Sequence, residues 1–204
     1  ERLPEPSRRM ESWRFGTPGN ESLEHAEAAL PVAPEALAPI IREHASMPEA
    51  LRIVYANGLP VSIPEELPEG LSVMDMEDFV LQCPDTARKY LETETETLGS
   101  EKLSALATAF QHNGLVIMAD REISLPLEIL HFISGDNVAV FPSTLLIAET
   151  GSRLHILERH LSADHGRQFC GALQQYHLSS ASSVKYALVQ ELNSRSRAEE
   201  LSHM

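Results

Sequence analysis

The hydrophobic pattern of this chain changes from helical to strand-like near residue 114. Four apolar residues upstream of that point follow the i, i+3, i+4, i+7 spacing of one helix face: Leu103, Leu106, Ala107 and Phe110. Asn113 and Gly114 come next, and both tolerate the left-handed conformation that ends many helices. Beyond them the apolar residues recur at every second position, as in strands. The pattern predicts a helix over residues 102–111 followed by consecutive strands, which excludes an alternating β-α-β fold.

The second half of the chain is predicted to contain six strands. They are Leu115–Ala119, Leu127–Phe132, Leu145–Ala148, Leu154–His160, Phe169–Leu178 and Val184–Glu191. A weak repeat of 32 residues sets Gly151–Glu158 against Ser183–Gln190, so that Leu154 coincides with Tyr186 and Ile156 with Leu188. In a parallel β-helix each turn of the chain, called a rung, cannot bury its own apolar face and is covered by the next rung. A repeat of this kind is typical of that fold.

The first half of the chain has a different pattern. Proline and glycine surround Trp13 in the first twenty residues, which favours an extended arm. The next segments predict a helix over residues 24–30, a helix over 35–44, a hairpin of residues 51–55 and 61–63 turning at Asn57-Gly58, and a helical region from Asp75 that Pro84 interrupts. We therefore expect an N-terminal arm and helical domain with a small hairpin over 1–112, and part of a β-helix core over 113–204.

Charge and hydropathy narrow the classes of partner. The 204 residues carry 30 acidic and 16 basic side chains, a formal charge of −14, and no stripe of Lys and Arg that could neutralise phosphates. Nucleic acid is therefore not an expected partner. The acidic run Glu92–Glu96 is interpreted as a solvated helix end or loop rather than a metal-binding site. No stretch of eighteen apolar residues and no signal peptide are visible, so we expect a cytoplasmic protein without a membrane anchor.

Metal and thiol chemistry have little support in the residue spacing. Cys83 and Cys170 are the only cysteines, and neither belongs to a Cys-x-x-Cys motif. Four histidines lie in the strand region near Glu158, namely His155, His160, His165 and His177. Because Glu158 and His155 differ in parity along their strand, their side chains are expected not to converge, and a structural or exposed role is favoured over metal ligation. Cys170 reads as a buried apolar side chain, with Arg167 as the sole local cation that could activate it.

Catalytic motifs are also missing. The serines Ser179, Ser180, Ser182 and Ser183 near His177 and Asp164 lack a Gly-x-Ser-x-Gly elbow and read as a bend between strands. The chain has no Gly-x-x-x-x-Gly-Lys-Ser/Thr phosphate loop, so ATP would have to be bound by a partner. We therefore predict no catalytic residue, no metal site and no cofactor bound by this chain.

Four segments resemble those of one known family, in the same order and at similar spacing. They are Glu11-Ser-Trp13-Arg14-Phe15, Val54-Tyr-Ala-Asn57-Gly58, Ala107–Phe110 with Asn113-Gly114 and Leu125-Pro126, and Leu146–Glu158. In these segments the chain resembles the SufB/SufD family of the SUF iron-sulfur cluster assembly machinery, and its SufD branch in particular. Two positions depart from the family pattern: Ser143-Thr144 stand where an Arg is usual after the Pro, and Cys170 stands where an Asn is usual.

The resemblance implies a non-catalytic scaffold subunit with a right-handed parallel β-helix core flanked by helical domains. It implies pairing through the β-helix with the paralogue SufB, or with a second copy of itself, and docking of the ATPase SufC on a C-terminal helical domain. The chain is then expected to be the N-terminal portion of a longer protein, without the C-terminal rungs. The family's proposed cluster-assembly residues would lie beyond residue 204, so none is assigned here.

Two other functions remain open from the sequence. The first is a β-helix carbohydrate-active enzyme that uses carboxylates such as Asp120, Glu122 and Glu128 as acid and base, which requires two of them to converge in an aromatic-lined groove. Aromatic residues make up only 5% of the chain, which disfavours such a groove. The second is a general protein-interaction module, which differs from the scaffold only in its partners.

Overall fold

The computed structural model describes residue 23 and residues 26–91, 101–110 and 113–203, with the backbone alone at residues 101–103, 201 and 203. The predicted arm around Trp13 and the acidic run Glu92–Glu96 lie outside the described residues.

The described chain is mainly β with four helices. Its strands are β1 (Glu27–Ala28), β2 (Leu51–Ala56), β3 (Leu59–Ser62), β4 (Leu71–Asp75), β5 (Leu115–Ala119), β6 (Leu127–Ile133), β7 (Val138–Val140), β8 (Ser143–Ala148), β9 (Arg153–Ser162), β10 (Gln168–Leu178), β11 (Ser183–Glu191) and β12 (Arg197–His203). Its helices are α1 (Pro34–His44), α2 (Met76–Gln82), α3 (Pro84–Leu91) and α4 (Glu101–Phe110).

The strands form two mixed sheets. Sheet A runs β4-β5-β8-β10, with β7 beside the first part of β10, β1 beside β7, and β12 on the opposite side of β10. Sheet B runs β3-β2-β6-β9-β11. Each sheet has one antiparallel pair, β4 with β5 and β2 with β3, and continues as parallel pairs.

From β5 onward the main strands alternate between the sheets. β5, β8, β10 and β12 belong to sheet A, whereas β6, β9 and β11 belong to sheet B. Residues paired across these parallel strands are a nearly constant number of positions apart in sequence: Leu115 pairs with Thr144, and Leu154 with Val184. Each pass through both sheets therefore takes about thirty residues, which leaves room for the connection of a dozen or more residues that parallel strands require.

The largest apolar core fills the space between the sheets. It takes alternate residues from both of them, among them Ile53, Ile117, Leu127, Ile129, Leu146, Leu154 and Ile156. Each of these side chains is almost fully inaccessible to solvent. Period-two patterning places one set of side chains in this layer and the other set on the outer face of the same strands.

Helices cover the outer faces of both sheets. On sheet B, α1 packs Leu37 against Val54, Leu130 and Phe132. On sheet A, α2 and α3 pack Phe79 and Tyr90 against strands β5 and β8. The helix starts follow ordinary rules, since Pro34 opens α1 and the Asp75 carboxylate accepts a 2.8 Å hydrogen bond from the Asp78 amide at the start of α2. Because both outer faces carry helices, strands such as β8 are buried on both sides.

The predicted hairpin is confirmed, and its turn is a structural anchor. Asn57 adopts a positive φ of 50° and Gly58 one of 79°. The buried Asn57 side chain donates to the carbonyls of Leu30 (2.7 Å) and Ser134 (3.0 Å) and accepts from the Ser134 amide (2.9 Å). These bonds tie the turn between β2 and β3 to the end of β6.

Most predicted elements form, but three expectations need correction. The helix predicted over 24–30 is wrong for residues 26–30, where a short strand, β1, pairs with β7. The register is 30 residues rather than 32, so Ile156 faces Tyr186. No strand was predicted after Glu191, but β12 forms there and pairs in parallel with β10.

A separate helical N-terminal domain is not evident among the described residues. β2 pairs with β6, and β4 pairs with β5, so strands on both sides of the predicted boundary at residue 112 share the same sheets. The helices of the first half pack on the outer faces of these sheets rather than on one another alone.

Candidate functional site

A cluster of buried polar side chains lies between the two sheets. Its centre is Glu158, with His131 and His160 beside it, and these three side chains are 0–3% exposed. One potential ligand atom from each lies within 4.8 Å of those of the other two. Within the part of the chain that the structure describes, this is the one group of three or more His, Cys, Asp or Glu side chains with such spacing.

Strand parity and register bring these residues together. Glu158 and His160 are two residues apart on β9, so both side chains project from the face that also carries Leu154 and Ile156. His131 on β6 is the direct parallel-ladder partner of His160. Thr144 and Gln174 are likewise ladder partners, on β8 and β10 of the opposite sheet, and they meet Glu158 across the core.

The Glu158 carboxylate is held on both oxygens. Its Oε1 lies 2.8 Å from His160 Nε2 and 3.3 Å from the Gln174 amide nitrogen. Its Oε2 accepts hydrogen bonds from Thr144 Oγ1 at 3.3 Å and from the Tyr186 hydroxyl. These four hydrogen-bond partners fix the carboxylate in a site without solvent exposure, and His131 Nε2 lies further away, 3.5 Å from Oε1.

The electrostatics of the cluster favour an ion pair between Glu158 and His160. Burial alone would raise the pKa of Glu158, but the hydrogen bond from His160 and the positive charge of the histidines outweigh it and hold the pKa well below the ordinary value. Burial opposes protonation of His160, yet Cys170 and Glu158 raise its pKa well above that of a free histidine. The Cys170 sulfur lies 3.5 Å from His160 Nδ1.

His131 differs from its neighbour. Burial, together with the nearby His160, lowers the pKa of His131 to about 4, although the Glu158 charge acts in the opposite direction. Neither ring nitrogen of His131 has a hydrogen-bond partner, and the same holds for the Gln174 carbonyl oxygen. Buried nitrogens and oxygens without partners are uncommon and costly in folded proteins. The neutral His131 imidazole therefore has a nitrogen lone pair in the protein interior that accepts no hydrogen bond from another group.

The other candidate histidines take separate positions. His155 is exposed on the opposite face of β9, as its parity predicts, and His165 is exposed in the turn after β9. The His177 ring packs against Tyr90 on the outer face of sheet A, with the two ring planes tilted by 54° and the centroids 4.7 Å apart. None of these three joins the buried cluster.

The two thiols and the serine-rich bend have separate surroundings. Cys170 is fully buried and Cys83 is half-buried, and both are free. Arg167 is exposed and donates to Asn137, so the expectation that it is the sole cation near Cys170 is wrong: the ring beside the Cys170 sulfur is that of His160, 3.5 Å away. Asp164 accepts hydrogen bonds from Ser134 and Gln168, and Ser182 donates to the carbonyl of Ser179 within the bend between β10 and β11. No nucleophile, base and acid are aligned among these described groups.

The carboxylates considered for glycoside chemistry also have separate partners. Glu128 is buried on the outer face of sheet B, where Arg52 Nε lies 2.8 Å from its Oε2. Asp120 pairs with Arg121 at 2.9 Å, and Glu122 lies 3.8 Å from Arg153; both carboxylates are exposed. Each is already paired with an arginine, so none is arranged as the acid of an acid-base pair.

The sequence pattern singled out His160 and Glu158 but did not predict their pairing or any role for His131. The parity of 158 and 160 could have revealed the pair, because both match the apolar positions 154 and 156. The participation of His131 depends on the 29-residue register between β6 and β9, and no local signal encodes that register.

Comparison with known proteins gives one consistent result. The chain is 31% identical over 97 residues to iron-sulfur cluster assembly SufBD family proteins of Mycobacterium bovis and of two strains of Mycobacterium tuberculosis. The matched segment spans 47% of this chain and 11% of each relative. No protein-family model matches the chain. The similarity points to the SufB/SufD group as a whole and does not distinguish the SufD branch within it.

The helices were also compared with the length and hydropathy of membrane-spanning helices. Among the residues that the structure describes, no helix has both the length and the apolar character needed to cross a bilayer.

Proposed function

We propose that this chain is part of a scaffold protein of iron-sulfur cluster assembly, of the SufB/SufD type. The observation that carries the proposal is the 31% identity over 97 residues to SufBD family proteins. The segments Val54–Gly58 and Leu146–Glu158 carry the same resemblance at the level of motifs. The matched segment spans about a tenth of those relatives' length, so the activity and partners below are part of the proposal.

The fold supports this proposal. We propose that the strands from β5 onward are the first rungs of a right-handed parallel β-helix. The alternation of strands between sheets A and B, the parallel ladders and the nearly constant register of 28–30 residues support that assignment, for example at Leu115 with Thr144 and Leu154 with Val184. A stack of this kind is a rigid framework and offers its last strands to a further rung or a partner.

The finer parts of the proposal concern role and partners. The chain acts as a non-catalytic, SufD-like cytoplasmic subunit that pairs through its β-helix with a SufB-like paralogue or with a second copy of itself. A SufC-like ATPase in the same complex binds ATP, because the chain has no phosphate loop of its own. Any iron-sulfur cluster is the product of the complex rather than a resident cofactor of this chain.

Affinity purification of the natural full-length protein tests the proposal. The protein is tagged at its chromosomal locus, purified gently, and its companions are identified by mass spectrometry, with the same tag on an unrelated cytoplasmic protein as control. We expect a P-loop ATPase and a β-helical paralogue to be enriched together over the control. Recovery of the protein alone, or with polysaccharide, contradicts the scaffold role.

A functional readout complements the purification. Depletion of the protein is expected to lower the activity of iron-sulfur enzymes in the host while leaving metal-free enzymes of the same pathways unchanged. Unchanged iron-sulfur enzyme activity after complete depletion contradicts a role in cluster assembly even if the companions are found.

A further inference from the structure

The buried cluster contains more metal-ligand capacity than its own hydrogen bonds use. His131 has two ring nitrogens without a hydrogen-bond partner, and the Gln174 carbonyl oxygen has none either. Both side chains are 97% or more buried, and both lie beside Glu158 Oε1, at 3.5 Å from His131 Nε2 and 3.3 Å from the Gln174 amide nitrogen. Leaving these groups unpaired has a cost that a ligand in the cluster would remove.

From this geometry we propose that His131, Glu158 and His160 form a binding site for one divalent transition-metal ion of the Fe²⁺ or Zn²⁺ class, inside the core between sheets A and B. The inference is independent of the proposed function, since it rests on the interior of this chain and not on its partners.

The chemistry of the three ligand side chains indicates which metal ion would bind. Two imidazoles and one carboxylate are a common ligand combination for Zn²⁺ and for non-haem Fe²⁺, and they suit Ca²⁺ and Mg²⁺ poorly, because those ions prefer oxygen ligands throughout. Monovalent copper is less favoured, because it prefers thioether and thiolate ligands and neither is among the three ligand atoms.

The spacing is close to that of a filled site. Ligand atoms at about 2.0–2.2 Å from a tetrahedral ion lie about 3.4 Å from one another. Glu158 Oε1 lies 2.8 Å from His160 Nε2 and 3.5 Å from His131 Nε2, so the two measured edges bracket that value. Small rotations of the side chains would accommodate the ion. The Gln174 carbonyl oxygen is in reach of the same carboxylate if the amide rotates, and it is the natural fourth ligand.

Surrounding groups orient the ligands. Thr144 and Tyr186 donate to Glu158 Oε2, which leaves Oε1 as the oxygen that faces the histidines. The Cys170 sulfur lies 3.5 Å from His160 Nδ1 and leaves Nε2 as the nitrogen directed at the cluster. Hydrogen bonds of this kind to the far side of metal ligands fix their direction and raise metal affinity.

Cobalt binding by the full chain tests the inference. The protein is stripped with a chelator and titrated with Co²⁺, whose visible ligand-field absorption reports coordination, and the bound Co²⁺ is then displaced with Zn²⁺. We expect one equivalent to bind with the intense visible bands of a low-coordinate site. Absence of stoichiometric binding, including when Co²⁺ is present during refolding, overturns the inference.

Matched histidine variants locate the site. His131→Leu removes an imidazole that makes no hydrogen bond, and it should weaken Co²⁺ binding by about tenfold or more. His155→Leu removes an exposed histidine on the opposite face of β9 and should bind Co²⁺ like the unaltered protein. Equal affinity of a folded His131→Leu protein and the unaltered protein overturns the inference.

X-ray absorption of the zinc-loaded protein gives a test that requires no variant. We expect scattering from two imidazoles together with oxygen ligands. A shell without imidazole, or one dominated by sulfur from Cys83 or Cys170, overturns the inference even if His131→Leu fails to fold.

Discussion

Glu158 and His160, two positions apart on one strand, form a buried ion pair in which Oε1 and Nε2 are 2.8 Å apart. Both side chains are inaccessible to solvent, and both share the inward face of β9 with Leu154 and Ile156. The strand therefore changes from an apolar to a polar interior along one face. That change sets where the largest apolar cluster ends and where the candidate site begins.

Loss of the Glu158 charge should destabilise the protein strongly. Glu158→Gln keeps the shape of the side chain but leaves His160 in the interior without its counter-ion. Breaking a buried pair in this way costs about 3–5 kcal/mol. We expect that decrease in the free energy of unfolding by urea denaturation in metal-free buffer.

The matched control for this change is Glu122→Gln. Glu122 is exposed, and its ion pair with Arg153 is long, at 3.8 Å. Because exposed ion pairs contribute little, its replacement should change stability by about 0.5 kcal/mol or less. If the two substitutions lower the free energy of unfolding equally, the buried pair of Glu158 and His160 does not contribute more to stability than an exposed pair.

The core between the sheets should be sensitive to cavities. Leu154→Ala removes a fully buried side chain from the largest apolar cluster, and we expect a loss of about 3 kcal/mol in the free energy of unfolding. Leu30→Ala, at a side chain that is 77% exposed, should change stability by less than about 0.5 kcal/mol. Thermal and urea unfolding monitored by circular dichroism distinguish the two.

Two glycines should respond differently to alanine. A Cβ at Gly166 would lie 2.0 Å from the carbonyl oxygen of Gly135, so the backbone must move, and we expect Gly166→Ala to cost about 3 kcal/mol. Gly151 has a positive φ of 77° and nothing within 4 Å of such a Cβ. Gly151→Ala should therefore cost only the conformational penalty of about 1–2 kcal/mol.

Measurement of both glycine variants by urea denaturation separates steric from conformational effects. A larger loss at Gly151 than at Gly166 would contradict the close approach of the turn after β9 to the turn after β6.

Glu128 should make stability depend on pH in the acid range. Burial favours its neutral form, but hydrogen bonds from the Ser46 hydroxyl and amide and the ion pair with Arg52 outweigh this and lower the pKa of Glu128 below its ordinary value of 4.5. A lowered folded-state pKa gives stability that is present above pH 4.5 and is lost as the pH falls through the folded-state pKa.

Comparison of the unaltered protein with Glu128→Gln isolates this contribution. Between pH 6 and pH 3, the free-energy difference between the two proteins should shrink steadily, because protonation removes the charge that the variant already lacks. Urea unfolding across that range provides the measurement, and a difference that stays constant with pH would contradict the assignment.

Local pattern was sufficient to predict most elements. All six predicted strands form, from Leu115–Ala119 to Ser183–Glu191, because alternation of apolar and polar residues is a property of the strand itself. The hairpin at Asn57-Gly58 and the helix start at Asp75 follow from turn and capping chemistry within a few residues.

Elements with weak local patterns were missed or misplaced. β12 reads Arg-Ala-Glu-Glu-Leu-Ser-His and has little apolar alternation, so only its pairing with β10 makes it a strand. β1 is two residues long, and its conformation depends on β7. The helices of the first half were expected to form their own domain, but the sheets offer them larger apolar faces to cover.

The sequence by itself determined which residues of each strand face inward, including the shared face of Glu158 and His160. Only the tertiary structure decided what those residues meet. The ladder register sets His131 of β6 beside His160, and the packing of the two sheets brings Thr144 and Gln174 to Glu158. Side-chain parity is fixed within a strand, whereas register and sheet packing depend on contacts between residues tens of positions apart, which no local pattern encodes.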